Sequence, residues 1–211
     1  MRTSPLCGIV SNNKRAERAP IIMKLFHRFL IALAFGIYFV VSYMGVQYIA
    51  RIWGSPIILK LPGEENIPFL PAMVLIYSAS YLFFPLLFML LQKKGNIIKA
   101  IWAFLITSMI HYLFFIFLPV QYTLRPDLTH YNHFSQTLFI PLINLYYRMD
   151  APLNTFPSLH VSYAFLTYFL IRRYRPDLKT AAFIVAIAIS VSTLLVKQHY
   201  VLDVVVAIPI T

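Results

Sequence analysis

LFHRFLIALAFGIYFVVSYMGVQYIA, running from Leu25 to Ala50, decides how the rest of the chain is read. The run far exceeds the ~7 to 15 residues of a cleavable signal core, and no small-residue cleavage site follows it. At a rise of ~1.5 Å per residue, ~20 residues in a helix cross the ~30 Å hydrocarbon layer of a bilayer. The run is therefore expected to be a retained first span.

Working outward, residues 1–23 are polar, carry Lys14, Arg15 and Arg18, and are interrupted by Pro5 and Pro20, which predicts a flexible cytoplasmic tail. In the other direction, further apolar runs lie at about 69–91, 100–120, 157–171 and 180–196. A last run opens near His199 and reaches Thr211, a length that covers only ~20 Å as a helix, so it is expected to be short or cut off. The fold expected is all-α, a polytopic membrane bundle of about six transmembrane helices. With no internal repeat visible, residues 24–211 read as one transmembrane catalytic domain.

Composition agrees. Of the 211 residues, 60% are hydrophobic and 12% charged, with a mean hydropathy of +0.73, more apolar surface than a soluble domain of this size can hide. Tyr43, Tyr48, Trp53, Tyr122 and Tyr131 lie beside the ends of apolar runs, where amphipathic rings favour the headgroup layer. The net charge of +11 sits in short clusters between apolar runs, which speaks for membrane topology and against a nucleic-acid partner. Cys7 is the single cysteine, so an intrachain disulfide is excluded and a cysteine-based metal site lacks ligands.

Orientation follows from Lys and Arg, which concentrate in cytoplasmic loops. Residues 2–28, 93–99 and 172–179 hold most of them, leaving Arg51, Lys60, Arg125, Arg148 and Lys197 on the other side. The connections at about 51–68, 121–156 and 197–199 are then expected on the non-cytoplasmic face. The residues with chemical potential all fall there: Arg125-Pro126, Pro157-Ser158-Leu159-His160, and Ser192 to Asp203.

His199 and Asp203 are four residues apart, so on a helix they share a face and the carboxylate can orient one imidazole nitrogen. The other nitrogen is then free to attack phosphorus and form a covalent intermediate. His160 is the candidate proton donor to the leaving alkoxide, since an imidazole titrates near neutrality. It sits in the first turn of a span that Asn154 or Thr155 can cap, with Pro157 fitting the first turn. Arg125, with its planar fork, is the candidate phosphate clamp, and Ser158 and Lys197 are further phosphate-binding candidates. Neither metal nor cofactor is expected; His130 and His133 in the long loop have only Asp127 beside them, and His111 reads as a polar contact between helices. The apolar stretch from Phe134 to Tyr147, broken by Pro141, is expected to lie along the membrane surface as a lid over the site.

These segments resemble the type 2 phosphatidic acid phosphatase (PAP2) superfamily, whose signature is Lys-x6-Arg-Pro, then Pro-Ser-Gly-His, then Ser-Arg-x5-His-x3-Asp. Arg125-Pro126, Pro157-Ser158-Leu159-His160, and Ser192 with His199 and Asp203 match in order, whereas Leu118, Leu159 and Thr193 replace the Lys, Gly and Arg of the signature. Phe156 to Val161 and Lys197 to Asp203 are more similar to the branch containing inositol phosphorylceramide synthase, and His-Tyr-x-x-Asp-Val is similar to sphingomyelin synthase. The resemblance implies metal-free transfer of a phospho-headgroup between membrane lipids through a phosphohistidine. The alternatives are a lipid phosphate phosphatase and a catalytically inactive lipid-binding membrane protein.

Overall fold

The structure is a computed structural model that describes residues 21–131 and 138–211. The tail through residue 20, the His130 side chain and His133 lie outside the described residues. Among the described residues seven α-helices follow one another: α1 Leu25–Trp53, α2 Val74–Leu90, α3 Lys94–Phe117, α4 Ile140–Met149, α5 Leu159–Tyr174, α6 Lys179–Leu195 and α7 Val201–Ala207. Among the described residues there is no β-strand, only isolated bridges.

Among the described residues four helices are long and apolar enough to cross a bilayer: α1, the Pro71–Leu90 stretch containing α2, α3, and the Pro176–Leu195 stretch containing α6. They fit an integral membrane protein. The lipid-facing character shows on α1, where Phe29, Leu33, Ile37 and Val41 are each half exposed or more.

The fourth apolar run becomes a different kind of element. α5 has 16 residues, it packs against α2, α3, α6 and α7, and every residue from Leu159 to Thr167 is buried. A helix enclosed by others can carry polar side chains that lipid would penalise, provided each finds a partner. Ser162 does so, with Oγ 2.9 Å from His111 Nε2 and 2.8 Å from Ala207 O. His111 thereby ties α3 to α5, the interhelical contact expected of it.

Around α5 the packing is aromatic. Phe104 meets Tyr163 edge-on at 4.8 Å, Phe35 reaches Phe104 and Phe88, and Phe39 bridges Phe84 and Tyr163. Such pairs each contribute roughly 0.5–1.5 kcal/mol beyond their buried area. In lipid, this packing replaces the hydrophobic drive that a soluble core would use.

The connections gather at two ends. Ile57 and Asn154 both bridge to Val120, and Leu70 N donates to Leu195 O at 2.9 Å, so the segments after α1, α3, α4 and α6 share one end. Gly54 is required there: a Cβ at this position would come within 2.5 Å of Pro119 Cγ. At the other end Met23 N donates to Gln92 O and Lys94 N to Ile21 O, each at 2.9 Å.

The last run is short, as expected, forming only the seven-residue α7. Two other local expectations change. α5 begins two residues later than Pro157 would place it, so its cap is Ser158, whose hydroxyl accepts from Val161 N, and neither Asn154 nor Thr155 serves. Tyr122, expected in the headgroup layer, packs inward on Tyr200, and Tyr43 points its hydroxyl to Asp150; Tyr48 and Trp53 are exposed as expected.

Candidate active site

Two backbone hydrogen bonds build the turn that presents His199. Thr193 O, at the end of α6, accepts from Gln198 N at 3.0 Å and His199 N at 3.4 Å, while Lys197 adopts a left-handed φ of 54° to close the turn. His199 therefore precedes α7 and does not share a helix with Asp203. The two meet because Asp203 Oδ2 caps α7, accepting from Tyr200 N at 2.9 Å, and lies 3.3 Å from His199 Nδ1.

Thr155 O stands 2.9 Å from the same nitrogen. A carbonyl and a carboxylate both accept, so Nδ1 carries the proton and Nε2 keeps its lone pair. That Nε2 faces His160 Nδ1 at 3.5 Å.

His160 is held from α2. Its Nε2 lies 3.1 Å from the Tyr77 hydroxyl and 3.2 Å from the Tyr81 hydroxyl, one helical turn apart. The tautomer that satisfies the whole set has the proton on His160 Nδ1, directed at the His199 lone pair, and Nε2 accepting from a tyrosine. Ser158 N donates to Asp203 O at 3.0 Å, fixing the start of α5 against α7 and with it the separation of the two imidazoles.

The rings open on a cavity of about 50 Å³ lined by His160, His199, Tyr43, Tyr81, Asp150 and Asn154, with Phe39, Val40 and Met44 of α1. Asn154 is 3% exposed, and neither its Nδ2 nor its Oδ1 has a hydrogen-bond partner among the described residues. Asp150 Oδ1 accepts from Tyr43 OH at 2.6 Å and from Gln47 Nε2 at 3.3 Å. Burial raises the Asp150 carboxyl above the ordinary carboxylate range, against the Tyr43 hydrogen bond and the charges of Arg125 and His199.

The sequence-named residues thus separate into groups. His160, His199 and Asp203 come together, with Ser158 buried beneath them as a helix cap. Arg125 grips the end of α4, donating to Tyr147 O at 3.2 Å and Asp150 O at 2.9 Å, and reaches Gln198 Oε1, next to His199. Its guanidinium also covers the Tyr147 ring at 4.4 Å. Lys197 points away from the imidazoles: its ammonium donates to Ile67 O, and burial lowers its pKa against the nearby Glu64 and Glu65. The left-handed turn that aims His199 inward aims its neighbour Lys197 elsewhere.

α4 covers this region as an amphipathic helix. Ile143 is buried with Val74, Tyr77 and Val196, the Tyr146 ring stacks on Tyr81, and Tyr147 OH donates to Val196 O at 2.7 Å. Among the described residues no three His, Cys, Asp or Glu side chains converge as a metal site would require.

Sequence reasoning missed Tyr77, Tyr81, Asp150 and Glu64, and took Asn154 only as a cap. Each is a lone polar group in an apolar or loop segment. The one available signal was the i, i+4 spacing of Tyr77 and Tyr81, which puts both hydroxyls on one face.

Among family models, one described as PAP2 superfamily matches residues 64–211. No curated protein and no solved structure matches the chain.

Proposed function

The chain belongs to the PAP2 superfamily, and on that premise we propose that it is a multi-pass membrane enzyme that cleaves or transfers a lipid phospho-headgroup through a phosphohistidine on His199. The observation that carries this reading is the bracketing of His199 Nδ1 by Thr155 O and Asp203 Oδ2, which leaves Nε2 basic and aimed at His160. An imidazole in that state is a prepared nucleophile.

Nε2 attacks phosphorus, forming an N–P bond as the P–O bond to the departing lipid oxygen breaks. His160, entering the step protonated on both ring nitrogens, gives that oxygen its Nδ1 proton and is left neutral, with its Nε2–H facing the Tyr77 and Tyr81 hydroxyl oxygens. In the second half the acceptor hydroxyl passes its proton to His160, its oxygen attacks phosphorus, and His199 is released. Asp203 orients His199 and stabilises its charged form, as a buried carboxylate does beside a catalytic imidazole. Arg125 supplies positive charge near the developing oxyanion.

Transfer of the inositol phosphorylceramide synthase kind is the favoured version. Leu118, Leu159 and Thr193 stand where phosphatases of the superfamily have Lys, Gly and Arg, and Asp150 lines the cavity itself. A site with fewer cations and a carboxyl suits the single charge of a phosphodiester better than the nearly double charge of a phosphate monoester. The site then works at the non-cytoplasmic face of a bundle of about six spans, the side poor in Lys and Arg.

The test is incubation of the purified protein, without added metal, with phosphatidate and separately with phosphatidylinositol plus ceramide, alongside His199→Ala. A new phospholipid lost in the variant is expected. Free phosphate instead makes the protein a phosphatase, and activity surviving in His199→Ala sinks the mechanism.

A further inference from the structure

A second cavity lies outside the candidate active site yet touches it. It measures about 850 Å³ and runs between α1 and α2, within the ~300–1,000 Å³ of sites that take a whole small ligand. Its walls are hydrocarbon along their length: Phe29, Leu33 and Ile37 on α1 face Leu82, Leu86 and Met89 on α2.

Three residues belong to both cavities. Phe39, Val40 and Tyr81 line the space between the helices and the space before the imidazoles. Tyr81 carries the junction, its ring in the apolar wall and its hydroxyl 3.2 Å from His160 Nε2. The two helices run antiparallel, so movement away from the imidazoles goes from Val40 toward Phe29 and from Tyr81 toward Met89. That path is about 16 Å along α1 at ~1.5 Å per residue.

At its middle the floor is missing a side chain. Gly36 lines the cavity, and a Cβ built there meets nothing within 4 Å. Both flanking helices are long and apolar enough to cross a membrane, so the channel runs in the direction a lipid tail takes from a headgroup at the site.

From this continuity we propose that the α1–α2 channel is the binding site for one hydrocarbon chain of the substrate lipid, with Gly36 setting its depth. The proposal rests on the reading of His199 as the phosphoryl acceptor and adds where the rest of the molecule goes. The substrate it selects is a phospholipid whose chain is long enough to fill the channel; a water-soluble phosphate ester leaves it empty.

The experiment uses the full chain in detergent micelles. Phosphatidylinositols bearing two hexanoyl or two palmitoyl chains, with ceramide as acceptor, are turned over by the wild type, Gly36→Ala and Gly36→Phe. The ratio of kcat/KM for the long to the short substrate is expected to fall roughly tenfold or more in Gly36→Phe, in line with the discrimination apolar pockets achieve, and to hold in Gly36→Ala. An unchanged ratio in Gly36→Phe overturns the proposal.

A second measurement needs neither a folded variant nor turnover. Phosphatidylinositol with a diazirine at mid-chain is photolysed on the wild type and the adducts are mapped. Adducts on Leu33, Ile37, Leu82 or Leu86 support the channel, and adducts spread evenly over the lipid-facing helices mean that only bulk lipid was sampled and overturn it. If the wild type turns over no lipid while the adducts map to the channel, the catalytic reading has failed and the channel stands.

Discussion

The Glu64 carboxylate accepts a 2.7 Å hydrogen bond from the backbone N–H of Val201, 137 residues further along the chain. Glu64 is 5% exposed, and its other oxygen takes Leu61 N at 3.3 Å. It therefore anchors the first turn of α7, the turn whose Asp203 holds His199, to the segment after α1.

Glu64 is accordingly predicted to be a positioning residue. Glu64→Ala leaves a buried N–H without a partner, a cost of about 1–3 kcal/mol, and should lower kcat more than it raises KM. Glu64→Gln keeps an acceptor oxygen and should recover most of kcat. Equal behaviour of the two variants in kinetics and thermal midpoint would remove the assignment.

Asp203→Asn should lower kcat by roughly two to four orders of magnitude, by analogy with the effect of such a change beside other catalytic imidazoles, with KM within a few-fold. The amide can still cap Tyr200 N, so the fold should survive. Near-normal kcat in a well-folded variant would show that Thr155 O alone sets the tautomer.

The paired hydroxyls on His160 predict coupling. Tyr77→Phe or Tyr81→Phe alone leaves one partner for Nε2 and should change kcat/KM only modestly. The double variant leaves a buried ring nitrogen unpartnered and should cost more than the two single effects together, by about 1 kcal/mol or more. A double-mutant cycle on kcat/KM measures it, and strict additivity refutes it.

Gly54→Ala should destabilise the chain by about 1–3 kcal/mol, the usual cost of forcing an atom into a filled space. The added carbon would meet Pro119 Cγ at 2.5 Å and Ala50 O at 3.0 Å, and a ring against a helix end has little room to retreat. Thermal unfolding in detergent gives the answer; a midpoint equal to wild type would mean that the Pro119 segment shifts freely.

Asp150 predicts a pH dependence. Because its carboxyl is raised in the folded chain, chiefly by burial, the folded state binds the proton more tightly than the unfolded one. Its contribution to stability is complete below the ordinary carboxylate value of about 3.9 and is lost as pH rises through the raised value. The wild-type thermal midpoint should therefore decline relative to Asp150→Asn from about pH 4 upward. Parallel curves for the two proteins would exclude this role.

The sequence disclosed the lipid-facing part of the fold most clearly. α1, α2, α3 and α6 present apolar surface to the bilayer, so nearly every residue in them must be apolar and the runs stand out. α5 hides its surface against protein and carries His160, Ser162 and Thr167, all buried, so its run reads shorter and more polar. His160, His199 and Asp203 were legible because they are chemically distinctive at short spacing. Tyr77, Tyr81 and Glu64 were not, since each matters through a partner at least 79 residues away. Lys197 shows the limit of proximity in sequence: two residues from His199, it faces the Glu64–Ile67 carbonyls because one backbone angle reverses its direction.

The central position of α5 has a consequence for biogenesis. Helices leave the ribosome in chain order, yet the helix that fills the middle of this bundle is made after α1, α2 and α3. In the folded chain Leu159 to Tyr174 pack against α2 and α3, made earlier, and against α6 and α7, made later. His160, on α5, and His199, in the turn before α7, can therefore meet only once both α5 and that turn are in place.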